Sequence, residues 1–139
     1  MRNYEIEQEM YRREAELIET RYPTGWGGAG IVHTSKGNYY TSVSIETANA
    51  AAALCIETGA MLEAHKFNEK VTHCLCLVRE DEDSPYQVLS PCGICQERLR
   101  FWGRRRSGGG HHRRRRDQVC GIEGIAALSL DKSLSRRRA

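Results

Sequence analysis

The sequence predicts an α/β fold, and three observations carry that prediction. Apolar residues recur at helical spacing near the start of the chain. Two strand-like runs then flank a short turn. A stretch rich in Ala, Leu and Met follows and leads into an apolar run that reads as a buried strand. The resulting order of helix, strand, strand, helix, strand, loop and helix is that of a sheet covered by helices. With 139 residues the chain is long enough for one domain with one core.

Residues 3–22 read as the first helix. Ile6, Met10, Leu17 and Ile18 fall on one stripe, Asn3 can cap the start, and Glu5 and Glu7 suit a first turn. Pro23 ends it, and Tyr22-Pro23-Thr24-Gly25-Trp26-Gly27-Gly28 is a glycine-rich turn. Residues 29–34 and 39–46 are strands around Ser35-Lys36-Gly37-Asn38, a hairpin turn by composition. The main helix is expected between residues 47 and 66, and residues 71–78 form a strand. The crossover from 39–46 through the helix to 71–78 suits a parallel pair. Glu80-Asp81-Glu82-Asp83-Ser84-Pro85 reads as a solvated loop, and Pro91-Cys92-Gly93 opens a helix running to about Trp102.

Composition narrows the function classes. Hydrophobic residues make up 40% and charged residues 28%, as in soluble globular proteins. No apolar run is long enough to span a membrane, and the acidic start MRNYEIEQEM has no secretory signal pattern. Six cysteines without such a signal point to the reducing cytoplasm, with thiols serving as ligands rather than disulfides. The net charge of +3 hides a division: residues 1–102 hold 10 basic and 15 acidic side chains, residues 103–139 hold 11 and 3. We therefore divide the chain into a metal-site domain, 1–102, and an Arg/Gly-rich tail, 103–139.

Cys55-Ile56-Glu57 and Pro91-Cys92-Gly93-Ile94-Cys95 are the chemical centre of the sequence. They offer three thiolates to a metal and one carboxylate beside it. Three protein ligands on tetrahedral zinc leave a fourth position open, the arrangement of catalytic sites. Zinc lowers the pKa of a bound water towards neutrality, and Glu57 is placed to take that proton. A start of a helix at each motif would favour thiolate over thiol. Cys74 and Cys76, on one strand face, read as core thiols, as free Cys so often is; His33 and His65 read as structural or solvated, and Cys120 has no partner at recognisable spacing.

From about residue 22 to residue 102 the chain resembles the cytidine deaminase family, whose motif pairs a Cys or His, one residue and a Glu with a later P-C-x-x-C. The resemblance implies a central mixed sheet covered by helices, with the C-terminal part incomplete here. It implies Zn2+ on Cys55, Cys92 and Cys95, Glu57 as the proton shuttle, and hydrolytic deamination of cytidine or deoxycytidine with release of ammonia. The family's ribose-binding Asn-x-Glu falls on Ser44 and Glu46; the Glu matches, and the Ser has shorter reach. The glycine-rich turn would border the base. The family's stacking aromatic falls on Gly25, beside Trp26, and the Arg after its Glu falls on Thr58. That Arg would offset the negative charge of a three-thiolate zinc site, a task left here to the helix starts or Arg98. A homotetramer is implied, acting on a small nucleoside in pyrimidine salvage, with neither membrane nor nucleic acid as a partner. Two alternatives stand: a deaminase of an aminonucleoside antibiotic of the blasticidin S type, and a non-catalytic zinc protein with a basic, nucleic-acid-binding tail.

The tail itself, Gly103-Arg104-Arg105-Arg106-Ser107-Gly108-Gly109-Gly110-His111-His112 and the arginines after it, is low-complexity. It reads as a phosphate-binding arm, as a solvated segment, or as a frameshifted ending. Arg and Gly codons read one base later turn towards Val, Ala, Asp, Glu and Gly, of which Val and Ala suit the strand that the family places there. If the tail is what is made, the sheet lacks its far strands and exposes an edge. Resequencing the gene through this segment separates the readings.

Overall fold

The computed structural model describes residues 3–103 and the backbone of residues 119 and 120. A sheet of five strands carries helix α1 on one face and α2 and α3 on the other. The elements are α1 (Asn3–Arg21), β1 (Gly27–Thr34), β2 (Tyr39–Ser42), a 3-10 turn (Ala50–Ala52), α2 (Thr58–Lys66), β3 (Val71–Arg79), β4 (Gln87–Val88), α3 (Gly93–Gly103) and β5 (Val119–Cys120).

Helix α1 forms where its periodicity places it. Ile6, Met10 and Ile18 pack with Ala29, Ile31, Leu75 and Leu77, residues that alternate along β1 and β3 and so share the α1 face. The other face gathers Val32 and Cys74 with Ala60, Met61 and Ala64 of α2 and Cys95 and Leu99 of α3. Cys74 and Cys76 are both buried, as expected of core thiols. His33 is buried as well, with Nδ1 2.7 Å from Thr72 Oγ1, and His65 is exposed.

The sheet order is β2-β1-β3-β4, with β5 also on β3. β1 runs antiparallel to both β2 and β3, and β5 runs parallel to β3, so the sheet is mixed. The expected parallel pairing of β2 with β3 is therefore corrected. The two strands point the same way, but β1 lies between them. The hairpin partner occupies the edge that the crossover would otherwise have filled.

Strand β1 also begins earlier than the glycine-rich turn suggested, at Gly27, and β2 ends earlier, at Ser42. The hairpin turn is held from below: Thr34 Oγ1 and Asn38 Nδ2 donate to the Glu69 carboxylate at 2.8 and 2.7 Å. The acidic loop is exposed, as its composition implied. Glu82 accepts a 2.8 Å hydrogen bond from the Gly25 backbone and ties the two loops together.

The largest departure concerns the main helix. The alanine-rich run does not enter it. Ala50–Ala52 form a single 3-10 turn capped by Asn49, whose side chain accepts from the Ala51 N–H. Leu54 then pairs with Ile45 as an isolated bridge, and α2 starts only at Thr58. Residues 51–54 are exposed. With no apolar face buried, helix propensity alone does not hold a short segment in helical form.

Residues 104–118 and 121–139, and with them the readings of the basic tail, lie outside the described residues. Val119–Cys120 do pair with His73 and Cys74, a strand contact that the tail's composition did not signal.

Glu7, Glu14 and Glu69 are acids whose burial was not foreseen, and Glu14 is the most enclosed of them. Glu14 of α1 is 0% exposed, and its two oxygens meet no hydrogen-bond partner of good geometry. Burial pushes its pKa well above 4.5, the nearby Leu77 backbone opposes the shift, and the charge of Glu57 adds to it. The folded chain thus holds this proton more tightly than the unfolded chain. The stability linked to it is full below about pH 4.5 and is lost as pH rises towards the folded value. Glu14→Gln removes the titration. Its thermal midpoint relative to wild type should therefore improve as pH is raised above about 5 in paired melts.

Candidate metal centre

Cys55 lies in the segment before α2, Glu57 immediately precedes α2 without a capping side-chain bond, and Cys92 directly precedes α3. The two helix starts converge as the sequence suggested, but Cys55 and Glu57 precede the helix rather than sitting in it. Within the second motif, Gln96 donates from its backbone to Cys92 O and from Nε2 to Pro91 O, both at 2.8 Å. These bonds shape the turn that brings Cys92 and Cys95 together.

The three sulfurs lie within 4.8 Å of one another, and Cys55 Sγ is 3.4 Å from Cys92 Sγ. A tetrahedral zinc with sulfur ligands at about 2.3 Å spaces its sulfurs by about 3.8 Å, so the donor set fits that ion in number, type and size. Among the described residues this is the one group of three such donors brought within metal-holding distance. Cys55 is half-buried, Cys92 exposed and Cys95 fully buried, so one side of the cluster opens to solvent.

The surroundings treat the sulfurs differently. The Cys95 backbone N–H, followed by the Cys55 thiol, holds the Cys92 thiol below its ordinary pKa. The Cys55 thiol is raised, first by its contact with Cys92 and then by burial. Burial raises Cys95 as well, and the charge of Glu57 adds to the shift. The Glu57 side chain is itself buried, with Oε2 3.5 Å from Cys95 Sγ. Arg98 brings a cation to this point. Its Nη1 lies 3.9 Å from Cys95 Sγ and donates at 2.7 Å to Thr58 Oγ1. Thr58, at the position where the sequence comparison looked for an arginine, therefore orients one that comes from α3.

The segment carrying Cys55 and Glu57 rests on the sheet. Ile56 O accepts a hydrogen bond from Ser42 Oγ at the end of β2. Gly30 of β1, which pairs with Ser42, lies beneath: a Cβ there would come within 3.0 Å of Ile56 O and of Glu57 Cα. Neither Ser42 nor Gly30 was singled out by sequence, because no local pattern records that a loop will be laid over that rung.

Ser44 and Glu46 flank Ile45, whose bridge to Leu54 sets them alongside the approach to Cys55; Ser44 is half-buried and Glu46 exposed. Trp26 is 45% exposed, and its ring lies over Gly28, close to where the Ile56 side chain also reaches. A groove of about 310 Å³ between α2 and α3 borders the site through Thr58 and Arg98.

No protein-family model matches the chain, and a comparison with curated proteins finds no match. Solved structures do match. The chain is 57% identical to the cytidine deaminase from Bacillus anthracis, over 70% of this chain and 70% of that one, with a TM-score of 0.69. The chain belongs to the cytidine deaminase family. The cytidine deaminase from Mycobacterium tuberculosis is 16% identical, over 66% of this chain and 76% of that one, with a TM-score of 0.50, and shares the fold. Family membership and the three-sulfur cluster together bear out the α/β fold expected from sequence, a mixed sheet flanked by helices, and an enzyme of the deaminase type.

Cobalt(II) reports on this cluster directly. Added to metal-free protein, it should give the intense near-ultraviolet sulfur-to-cobalt absorption of thiolate ligation. Cys92→Ser and Cys95→Ser should each weaken that absorption and the retention of zinc against a chelator.

Proposed function

We propose that the chain catalyses the hydrolytic deamination of a cytosine nucleoside, cytidine or deoxycytidine, to the uracil nucleoside and ammonia. The observation that carries the reading is the buried Glu57 carboxylate, 3.5 Å from a sulfur of the cluster formed by Cys55, Cys92 and Cys95. Those three sulfurs would hold Zn2+, which when bound supplies a Lewis acid that brings the acidity of a water near neutrality.

The remaining work falls to the chain's own residues. Glu57 Oε2 accepts one water proton and delivers it to the ring nitrogen of the substrate, then takes the proton left on the added oxygen and passes it to the amine, which departs as ammonia. Burial keeps that carboxylate in one orientation and shields the transfer from bulk water. Arg98, held by Thr58, offsets the excess negative charge of three thiolates around a divalent ion. Ser44 and Glu46 bind the sugar hydroxyls, with Glu46 accepting. The glycine-rich turn, with Trp26 at its end, walls the base.

We further place the enzyme in the cytoplasm, in pyrimidine salvage, as a homotetramer. Among the described residues the cysteines form no disulfide, and no helix is long and apolar enough to cross a membrane. Ile94, Phe101 and Leu62 are about 60% exposed, an apolar surface suited to burial against other copies. The departures at Ser44, Gly25 and Thr58 keep an aminonucleoside antibiotic of the blasticidin S type as the second substrate class.

The test is a panel of cytidine, deoxycytidine, cytosine and blasticidin S with zinc-loaded protein, read by ammonia release and product absorbance. Cytidine and deoxycytidine should turn over, and Glu57→Ala should lower kcat by about 100-fold or more with zinc content unchanged. Turnover confined to blasticidin S would move the assignment to the second class. Salt-sensitive RNA binding without turnover of any of the four would replace enzyme by binding protein.

A further inference from the structure

We infer that Ser42 is a positioning residue for the metal centre and works as one half of a size-matched pair with Gly59. The inference rests on the reading that Cys55 and Glu57 serve one metal site.

In the segment between the Leu54 bridge and the start of α2, the Cys55 and Glu57 carbonyls accept from the Thr58 and Met61 N–H groups at 3.1 Å, whereas the Ile56 carbonyl between them turns to the sheet instead. Within it, Cys55 and Glu57 flank Ile56. The Ile56 carbonyl lies in a rigid peptide plane with the Glu57 nitrogen and Cα. Fixing that carbonyl therefore fixes the start of Glu57 directly, and of Cys55 through one residue.

The Ile56 carbonyl is held by a single rung of the hairpin. Gly30 and Ser42 are partners in the β1–β2 register. Gly30 gives the carbonyl room, with 3.0 Å from an added Cβ to Ile56 O, and Ser42 gives it a donor. Ser42 needs room in turn, and Gly59 supplies it. A Cβ at Gly59 would stand 2.8 Å from Ser42 Cβ, closer than real Cβ contacts come. Gly59 occupies the second residue of α2 and is exposed, a place where alanine would be the better helix former. The glycine is explained by the serine, and the serine by the carbonyl it grips.

Two atoms decide the matter, the Ser42 hydroxyl and the Cβ that Gly59 lacks, so four variants of the full chain suffice. Ser42→Ala deletes the donor and keeps the Cβ. Ser42→Gly removes both. Gly59→Ala introduces the clash, and Ser42→Gly/Gly59→Ala relieves it. Each is measured for kcat and KM with cytidine as zinc-loaded protein, for cobalt absorption, and for thermal midpoint.

Ser42→Ala should lose about threefold to tenfold in kcat, the worth of one hydrogen bond, with a smaller change in KM and a shifted cobalt spectrum. A purely structural serine would move the thermal midpoint alone. Gly59→Ala should fall below Ser42→Ala, and the double variant should recover to the level of Ser42→Gly, a departure from additivity expected of touching residues. Ser42→Ala that matches wild type in kcat and cobalt spectrum overturns the inference, as does a double variant no better than Gly59→Ala. If Gly59→Ala does not fold, the Ser42→Ala comparison decides. A wild-type chain that takes up no cobalt overturns the metal reading and this inference with it, whereas cobalt uptake with unaltered Ser42→Ala overturns this inference alone.

Discussion

Three sulfur atoms within 4.8 Å of one another, with a buried carboxylate against one of them, form the constraint on which the structure turns. In their charged forms these groups repel, and at such separations the repulsion in a partly dry setting is severe. A cluster of this kind is tolerable when a cation sits among the donors or when protons stay on them. Contact with Cys92 raises the Cys55 thiol, burial raises that of Cys95, and the Cys95 backbone N–H lowers that of Cys92. Much of the surrounding architecture serves to hold these groups together despite that cost: two helix starts, an arginine from α3 and a rung of the hairpin.

The sheet supplies the rigidity. β1 runs through its centre with every residue buried, paired along its length with β3 and, over four residues, with β2. Helix α1 seals one face through Met10 and Ile18, leaving the other face for α2, α3 and the site. The site is thus laid over a strand that is paired on both sides and buried throughout. Its sulfurs come from two separate segments: one is bonded to β2 through Ser42, and the other is shaped by Gln96 and packs on the sheet face through Cys95.

The clustering of Cys55, Cys92 and Cys95 was legible in the sequence because its information is local. A C-x-x-C after proline and a Cys two residues before a Glu are short patterns whose spacing mirrors their geometry. Helix α1 and the hairpin were legible for the same reason, through periodicity and turn composition. What was not legible depends on distant partners. The alanine run looks helical by propensity, yet the Ile45–Leu54 bridge and the lack of anything to bury against keep it out of α2. The insertion of β1 between β2 and β3 is a choice among pairings that the strands alone do not rank. Glu14 sits on a face that sequence assigned by its apolar members, and Ser42 acts across fourteen residues of chain on a carbonyl that no side-chain pattern encodes.

The Ile45–Leu54 bridge has a wider consequence. By pinching the chain shut just upstream of Cys55, it makes the intervening residues a closed excursion whose ends stay put whatever happens at its tip. Insertions, deletions or new side chains in that exposed bulge can change its surface while Cys55 and Glu57, a few residues away, keep their alignment. The architecture separates a stretch of chain that is free to vary from one that must stay still.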